Sequence, residues 1–211
     1  KRQVDILAKK SVCAPAPSQW DKPRCPCRAG VPPAVSTSSG RTRAFVKVQD
    51  GCDHACTYCI VHTVRGPMLS KPPNEVLEDI ERFRRAGLRE IVLCGIRLGA
   101  YGADLADDFS LSELLHELRN LGLPRLRLSS LEPLDITDDL IAEFTGHPSL
   151  CHHLHLPLQS GEDAVLAAMN RGYSISDFRG LVEKIRAVWL DAALTADIIV
   201  GFPGETEAAF Q

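Results

Sequence analysis

The sequence predicts an α/β fold, a partial parallel (β/α) barrel preceded by a proline-rich N-terminal tail. Three observations carry that expectation. From residue 43 onward, strand-length apolar runs alternate with amphipathic helical stretches. The run Glu90-Ile91-Val92-Leu93-Cys94 is nearly continuously apolar, as a strand of a covered parallel sheet requires. The chain also changes character near residue 43. Residues 1–43 hold nine Lys/Arg against two Asp/Glu, and the remainder 15 against 25.

The division expected is therefore a basic, proline-rich linker or tail over 1–42 and a core domain over 43–211. In the tail, Ala14-Pro15-Ala16-Pro17 and the run Val31-Pro32-Pro33-Ala34 stop helix and sheet alike, because proline fixes φ and lacks a donor. Its positive charge would attract RNA electrostatically. No aromatic pattern accompanies that charge, so a solvated tail is the expectation.

In the core, Ala44-Phe45-Val46-Lys47-Val48 reads as the first strand. A helix follows from an Asn74 cap to about Ala86, with Val76, Leu77, Ile80 and Phe83 on its apolar stripe and Gly87 as its stop. The second strand is the run from Glu90 to Cys94. Ser110 caps a helix through Leu121, with Leu111, Leu114, Leu115 and Leu118 on one side. A strand over 125–129, a short helix over 137–144 and a strand over 152–156 come next. Helices over 162–169 and 176–190 precede a fifth strand over 194–200. Alternation of this kind favours successive βα units in a parallel sheet. The barrel is expected to be truncated after that fifth strand, with its covering helix only beginning at Gln211.

Composition excludes several classes. Apolar residues make up 45% and charged residues 24% of 211, which are ordinary globular values. No run of 18 apolar residues occurs, and Lys1 to Lys10 lack the apolar core of a secretory signal. The expectation is a cytoplasmic protein without a membrane partner. Eight cysteines without an export signal point to metal binding or reactivity, not to a disulfide framework.

Three of those cysteines form the sharpest motif. Cys52, Cys56 and Cys59 stand in the spacing C-x3-C-x2-C, in a loop that follows the first strand. Three thiolates so close can close on one soft metal centre. Structural zinc wants four ligands, and no fourth cysteine follows at matching spacing. Three ligands suit a [4Fe–4S] cluster with one iron left open. His153 and His155 share one face of their strand. A metal hydrolase would need further ligands on later strands, so they are expected as neutral, hydrogen-bonded barrel lining. Cys94 and Cys151 are expected as small buried hydrophobes within strands.

The cysteine loop resembles that of the radical S-adenosylmethionine (SAM) superfamily. The segment RAFVKVQDGCDHACTYC over 43–59 is similar to the methylthiotransferases in particular. So are SSLEP over 129–133, HLHLPLQSG over 153–161, MNRGY over 169–173 and DIIVGFPGE over 197–205. The resemblance implies a partial barrel of the radical SAM type, a [4Fe–4S] cluster and SAM bound to its open iron. It implies that one electron cleaves SAM and that the resulting 5′-deoxyadenosyl radical takes hydrogen from a C–H bond. These enzymes add a methylthio group to a tRNA base or to a ribosomal-protein aspartate. The segment over 95–102, GIRLGAYG, is most similar to the branch acting on N6-threonylcarbamoyladenosine next to the anticodon. The reaction implied is methylthio addition at C2 of that base, with a tRNA anticodon stem-loop as partner and a flavodoxin or ferredoxin as electron donor.

The resemblance assigns Cys52, Cys56 and Cys59 to the cluster. It places Tyr58 near the adenine of SAM, Gly95 where backbone approaches the methionine end, and Glu132, Gln159 and Ser160 at strand ends as polar contacts. Arg171 would meet a carboxylate, and Gly201 would let backbone approach the adenosine. No catalytic residue beyond the cluster is assigned.

Full-length relatives are expected to carry an N-terminal domain with a second [4Fe–4S] cluster and a C-terminal RNA-gripping TRAM domain. Neither is recognisable here. Cys13, Cys25 and Cys27 do not match the spacing of that second cluster and are given no role. The chain also departs from the family after the third ligand, over 60–68, although Arg65-Gly66 is retained. The acidic body is a poor RNA surface by itself, which fits a grip lying elsewhere. This polypeptide is thus expected to cleave SAM without completing methylthiolation alone. The rival readings are another methylthiotransferase branch, another radical SAM reaction such as methylation, and a non-catalytic iron–sulfur or zinc module.

Overall fold

The computed structural model describes residues 42–106 and 109–211. The tail read over 1–42, with Cys13, Cys25 and Cys27, lies outside them apart from Thr42. Five parallel strands build the frame: β1 (Arg43–Lys47), β4 (Glu90–Cys94), β5 (Leu126–Leu128), β6 (His153–His155) and β7 (Ala193–Thr195). β1 pairs with β4, β4 with β5, and β6 with β7, all in parallel. The Cys151 N–H donates to Leu126 O at 2.7 Å, and the Leu131 N–H donates to His155 O at 2.9 Å. These bonds join the two ladders, so the strands follow chain order.

Each strand sends one face to the helices. Ala44, Val46, Ile91, Leu93, Leu126, Leu128, Leu154 and Leu156 are buried in one core. They meet Val76 and Ile80 of α2 (Pro73–Arg85) and four leucines of α3 (Leu111–Leu118). Phe144 of α4 (Asp138–Gly146) and Ile185 of α6 (Ile175–Val188) complete that packing. The period-2 alternation of a strand then puts Arg43, Phe45, Lys47, Glu90, Arg127, His153 and His155 on the opposite face. There Glu90 lies between Arg43 at 3.1 Å and Arg127 at 3.2 Å. His153 Nε2 meets Thr195 Oγ1 at 3.0 Å, and His155 Nδ1 meets Ser130 Oγ at 2.7 Å. Burial, with the charges of Arg127 and His155, pushes the His153 pKa down, which keeps that ring neutral. The hydrogen-bonded lining expected of both histidines is what the fold contains.

Local signals explain most helix ends. Ser110 and Glu113 form a reciprocal capping box at the start of α3, and Thr137 caps α4. Gly87 stops the chain after α2 with φ of 84°.

Several boundaries differ from expectation. α2 starts at Pro73 with proline in its first turn, so Asn74 is inside the helix and not its cap. α6 is capped by Ser174 with Asp177 and starts at Ile175, one residue ahead of the expected start. The fifth strand is regular only over three residues, with one further bridge between Gln159 and Ile198. Ile198 and Val200 are exposed because no strand among the described residues pairs with that edge. A two-residue antiparallel ribbon, β2 (Gln49–Asp50) with β3 (Leu69–Ser70), and a short α1 (Val61–Arg65) frame the cysteine loop. Neither is long enough to show a period. Cys151 precedes β6 instead of lying in it, and Cys94 is only half-buried, on the face away from the helices. No helix among the described residues is long and apolar enough to cross a membrane.

Candidate cluster and cofactor site

The cysteine loop emerges from the C-terminal end of β1 through the ribbon. Asp50 and Gly51 turn it. The Gly51 N–H donates to Asp50 Oδ1 at 2.9 Å, and φ at Gly51 is 75°. A side chain there would place its Cβ 1.9 Å from Pro67 O, so only glycine fits. The Cys52 N–H donates to Gly66 O at 3.1 Å, and the Cys59 N–H donates to Cys56 O at 3.0 Å. The retained Arg65-Gly66 pair therefore closes the loop from its far side.

The opposite side is pinned by the end of α5 (Asp163–Ala168). The Thr57 N–H donates to Met169 O at 3.1 Å, and its hydroxyl donates to Ala168 O at 3.0 Å. Asn170, in the left-handed region at φ 58°, donates from its amide to Ala55 O at 2.9 Å. Asparagine tolerates that backbone better than most residues.

Cys56 is buried and Cys52 and Cys59 are half-buried, all three as free thiols. Burial pushes the Cys52 thiol up, a backbone bond from His54 and the charge of Arg97 oppose this, and charge on Cys56 or Cys59 adds to it. Among the described residues no three His, Cys, Asp or Glu side chains converge as on a single metal ion. A cubane is held by thiolates at separate corners, and three free thiols on one braced loop fit it.

Arg171 lies beside Cys56. Its Nη1 is 3.3 Å from Cys56 Sγ and 3.2 Å from Tyr58 Oη. Its Nη2 forms an ion pair with Glu132 Oε1, and Nε and Nη2 both reach Tyr173 Oη at 3.3 Å. The Tyr173 hydroxyl lies 2.9 Å from Leu158 O and 3.0 Å from Pro157 O. The Arg171 side chain is only 4% exposed. Burial by itself would lower its pKa, but the bond and charge of Glu132 outweigh that and raise it. Burial likewise pushes the Tyr58 hydroxyl up, against the pull of Arg171, so it stays protonated.

A second guanidinium, Arg97, binds Asp135 with Nε at 2.9 Å and Nη2 at 2.5 Å. The Arg97 N–H also donates to Gln49 Oε1 at 2.8 Å. Gln49 is fully buried and donates back to Asp50 O at 2.9 Å and Gly51 O at 2.8 Å. Gly95 packs against that amide. A Cβ at Gly95 would sit 3.0 Å from Gln49 Oε1 and from Leu98 Cα.

A cleft of about 620 Å³ adjoins the loop, lined by Thr57, Tyr58, Ala168, Ile199, Gly201, Phe202 and Pro203. That volume is within the range of small-molecule sites. Gly201, at φ 75°, donates its N–H to Glu205 Oε2 at 2.5 Å, which closes the turn at the cleft wall.

Cys52, Cys56, Cys59, Tyr58, Glu132 and Arg171 form one connected cluster. Gly201 joins it through the cleft, and Gly95 through Gln49. Gln159 adopts φ 72° and bonds through its backbone to Asp197 and Ile199. Ser160 is buried, and its hydroxyl accepts from the Glu162 N–H at 3.2 Å, next to the start of α5. Sequence reasoning assigned no role to Arg97, Asp135, Gln49, Asn170 or Tyr173. Asn170 and Tyr173 stand in the MNRGY motif beside Arg171, and Arg97 stands two residues after Gly95. No spacing rule connects Gln49 or Asp135 to the cysteines.

A family model described as the radical SAM superfamily matches residues 46–211. The threonylcarbamoyladenosine tRNA methylthiotransferase MtaB of Thermotoga maritima is 46% identical over 81% of this chain. The tRNA-2-methylthio-N(6)-dimethylallyladenosine synthase of Syntrophus aciditrophicus is 40% identical over 82%, and that of Thermus thermophilus 44% over 82%. The chain spans 37% to 39% of the length of these three relatives. Among solved structures, the radical SAM methyltransferase TsrM of Kitasatospora setae, with tryptophan and a SAM analogue bound, matches with a TM-score of 0.64. The identity is 16%, covering 79% of this chain and 32% of that one. That likeness concerns the fold.

Proposed function

The chain belongs to the radical SAM superfamily, and we propose that it is the radical core of a tRNA methylthiotransferase acting at C2 of N6-threonylcarbamoyladenosine next to the anticodon. The identity of 40% to 46% to tRNA methylthio enzymes, over about four fifths of the chain, is the observation that carries the reading. The segment over 95–102 supports the threonylcarbamoyladenosine branch. A second reading, dimethylallyladenosine as substrate, is favoured by the relatives of Syntrophus and Thermus.

Superfamily membership implies a [4Fe–4S] cluster and SAM, which together supply one-electron chemistry at an unactivated C–H bond. Cys52, Cys56 and Cys59 would hold the cluster. Tyr58, Gly201 and the apolar wall of Ile199 and Phe202 would take the adenosine, flat rings against an apolar surface. Gly95 and the strand ends carrying Glu132, Gln159 and Ser160 would shape the methionine end, where the carboxylate that Arg171 meets is that of Glu132. The tRNA anticodon stem-loop is the proposed partner, with a flavodoxin or ferredoxin as electron donor.

The test is anaerobic reconstitution with iron and sulfide, then dithionite and SAM, with 5′-deoxyadenosine as readout and Cys56→Ala as control. Deoxyadenosine formed by the wild type and abolished in the control supports the reading. A protein that binds zinc and forms no cluster refutes it. Anticodon stem-loops bearing threonylcarbamoyl- or dimethylallyladenosine then separate the two branches by which one accelerates SAM cleavage.

A further inference from the structure

We infer that Arg171 is a positioning residue that donates an N–H···S hydrogen bond to the Cys56 thiolate and thereby raises the reduction potential of the cluster. It deepens the reading above and rests on Cys52, Cys56 and Cys59 being cluster ligands.

A guanidinium presents five donors in a rigid plane. Here every edge of the plane is used. One edge meets Glu132, another meets the Tyr173 hydroxyl, and Nη1 points at Cys56 Sγ at 3.3 Å. The guanidinium carbon also lies 5.1 Å from the centre of the Tyr173 ring. Glu132 already neutralises the arginine, and Tyr173 already orients it. The contact with sulfur is therefore not needed to satisfy the charge. It is a donor held by Glu132 and the hydroxyls of Tyr58 and Tyr173 against a ligand atom.

Reduction adds one electron, and so one negative charge, to the cluster. The electron comes from a low-potential one-electron donor, dithionite in vitro. The negative charge that accumulates on the sulfurs is stabilised more by a fixed N–H donor than is the oxidised state. Hydrogen bonds to the sulfurs and solvent exclusion are among the factors that set such potentials. The donor is also kept from water, because the Arg171 side chain is 4% and that of Glu132 12% exposed, which strengthens its bond to sulfur. The same short segment holds a second guanidinium, since Asp135, three residues after Glu132, binds Arg97.

The test is an EPR-monitored redox titration of the reconstituted protein, with iron per chain measured in parallel. Arg171→Met alone leaves Glu132 buried and unpaired, which threatens folding. The double variant Glu132→Gln with Arg171→Met removes both charges together. Its net charge is unchanged, so it isolates the hydrogen bond. The expected result is a midpoint more negative than that of the wild type at equal iron content, with Arg171→Lys between them. Coincident midpoints at equal iron overturn the inference, and so does a positive shift. A double variant that keeps its circular dichroism but holds no iron also overturns it, since Arg171 would then be only a scaffold for the loop. A wild type that forms no cluster fails the ligand assignment itself and this inference with it.

Discussion

The Asn170 side-chain amide donates to the Ala55 carbonyl at 2.9 Å, tying the end of α5 to the middle of the cysteine loop 115 residues earlier in the chain. The loop has no regular structure of its own between β2 and α1. Its shape depends on such ties, and Asn170 supplies one from a left-handed backbone.

Asn170→Gly should separate the two contributions. Glycine keeps the backbone but loses the amide, at a cost of about 1 kcal/mol. Asn170→Ala loses the amide and adds left-handed strain of about 1–2 kcal/mol. Both variants should retain less iron than the wild type after gel filtration, with alanine the lower. Equal melting temperatures for the two would show that the backbone strain is absent.

Gly51→Ala should be worse than either. The new Cβ would stand 1.9 Å from a backbone oxygen that belongs to the strap closing the loop. Backbone cannot yield as a side-chain tip can. A loss of at least about 2 kcal/mol is expected, from left-handed strain and overpacking together. The measurement is urea unfolding. A midpoint within error of the wild type would mean that the strap moves freely.

Asn170 and Gly51 both bear on what can be read from sequence. The cysteine spacing is local, and the strands were legible because β1 alternates, β4 is a nearly continuous apolar run and their helices carry clear periods. The ribbon of Gln49 and Asp50 against Leu69 and Ser70 was not, since two residues cannot display an alternation. The same limit hid the contacts of Arg97 with Asp135 and of Gln49 with Gly51. Each depends on which loop ends meet above the sheet, and hydrophobic pattern fixes only which faces meet below it. Arg171 was legible as a cation at the site, but that its partners include Glu132 and a cysteine follows only from the packing of β5 and α5 ends.

Glu90 gives a pH-dependent prediction. Burial would raise its pKa, yet the bonds from Arg127 and Arg43 outweigh this and hold the carboxyl below its usual range. A depressed carboxylate stabilises the fold above its unfolded pKa of about 4.3, and that contribution is lost as pH falls through the folded value. Glu90→Gln should cost about 1 kcal/mol at pH 7, a modest figure because the Arg43 side chain is 47% exposed. Chemical unfolding of both proteins should show the gap closing in acid. A gap constant from pH 7 to pH 3 would mean that shape, not charge, makes the difference.

The Arg97–Asp135 pair permits the sharpest separation of stability from site integrity. Its side chains are 19% and 6% exposed, so removing one partner strands a charge in a dry place. Asp135→Ala should therefore destabilise by about 3–5 kcal/mol. Replacing both, as Arg97→Met with Asp135→Leu, should restore most of that loss, because an apolar pair needs no desolvation. The Arg97 backbone N–H would still reach Gln49, so β2 should keep its brace. What the double variant lacks is the positive charge that acts on Cys52. Thermal unfolding should thus rank it near the wild type, while iron retention should rank it below. If iron retention follows stability across all three proteins, the pair serves only the fold. If it falls in the stable double variant alone, the guanidinium acts on the cysteine loop directly.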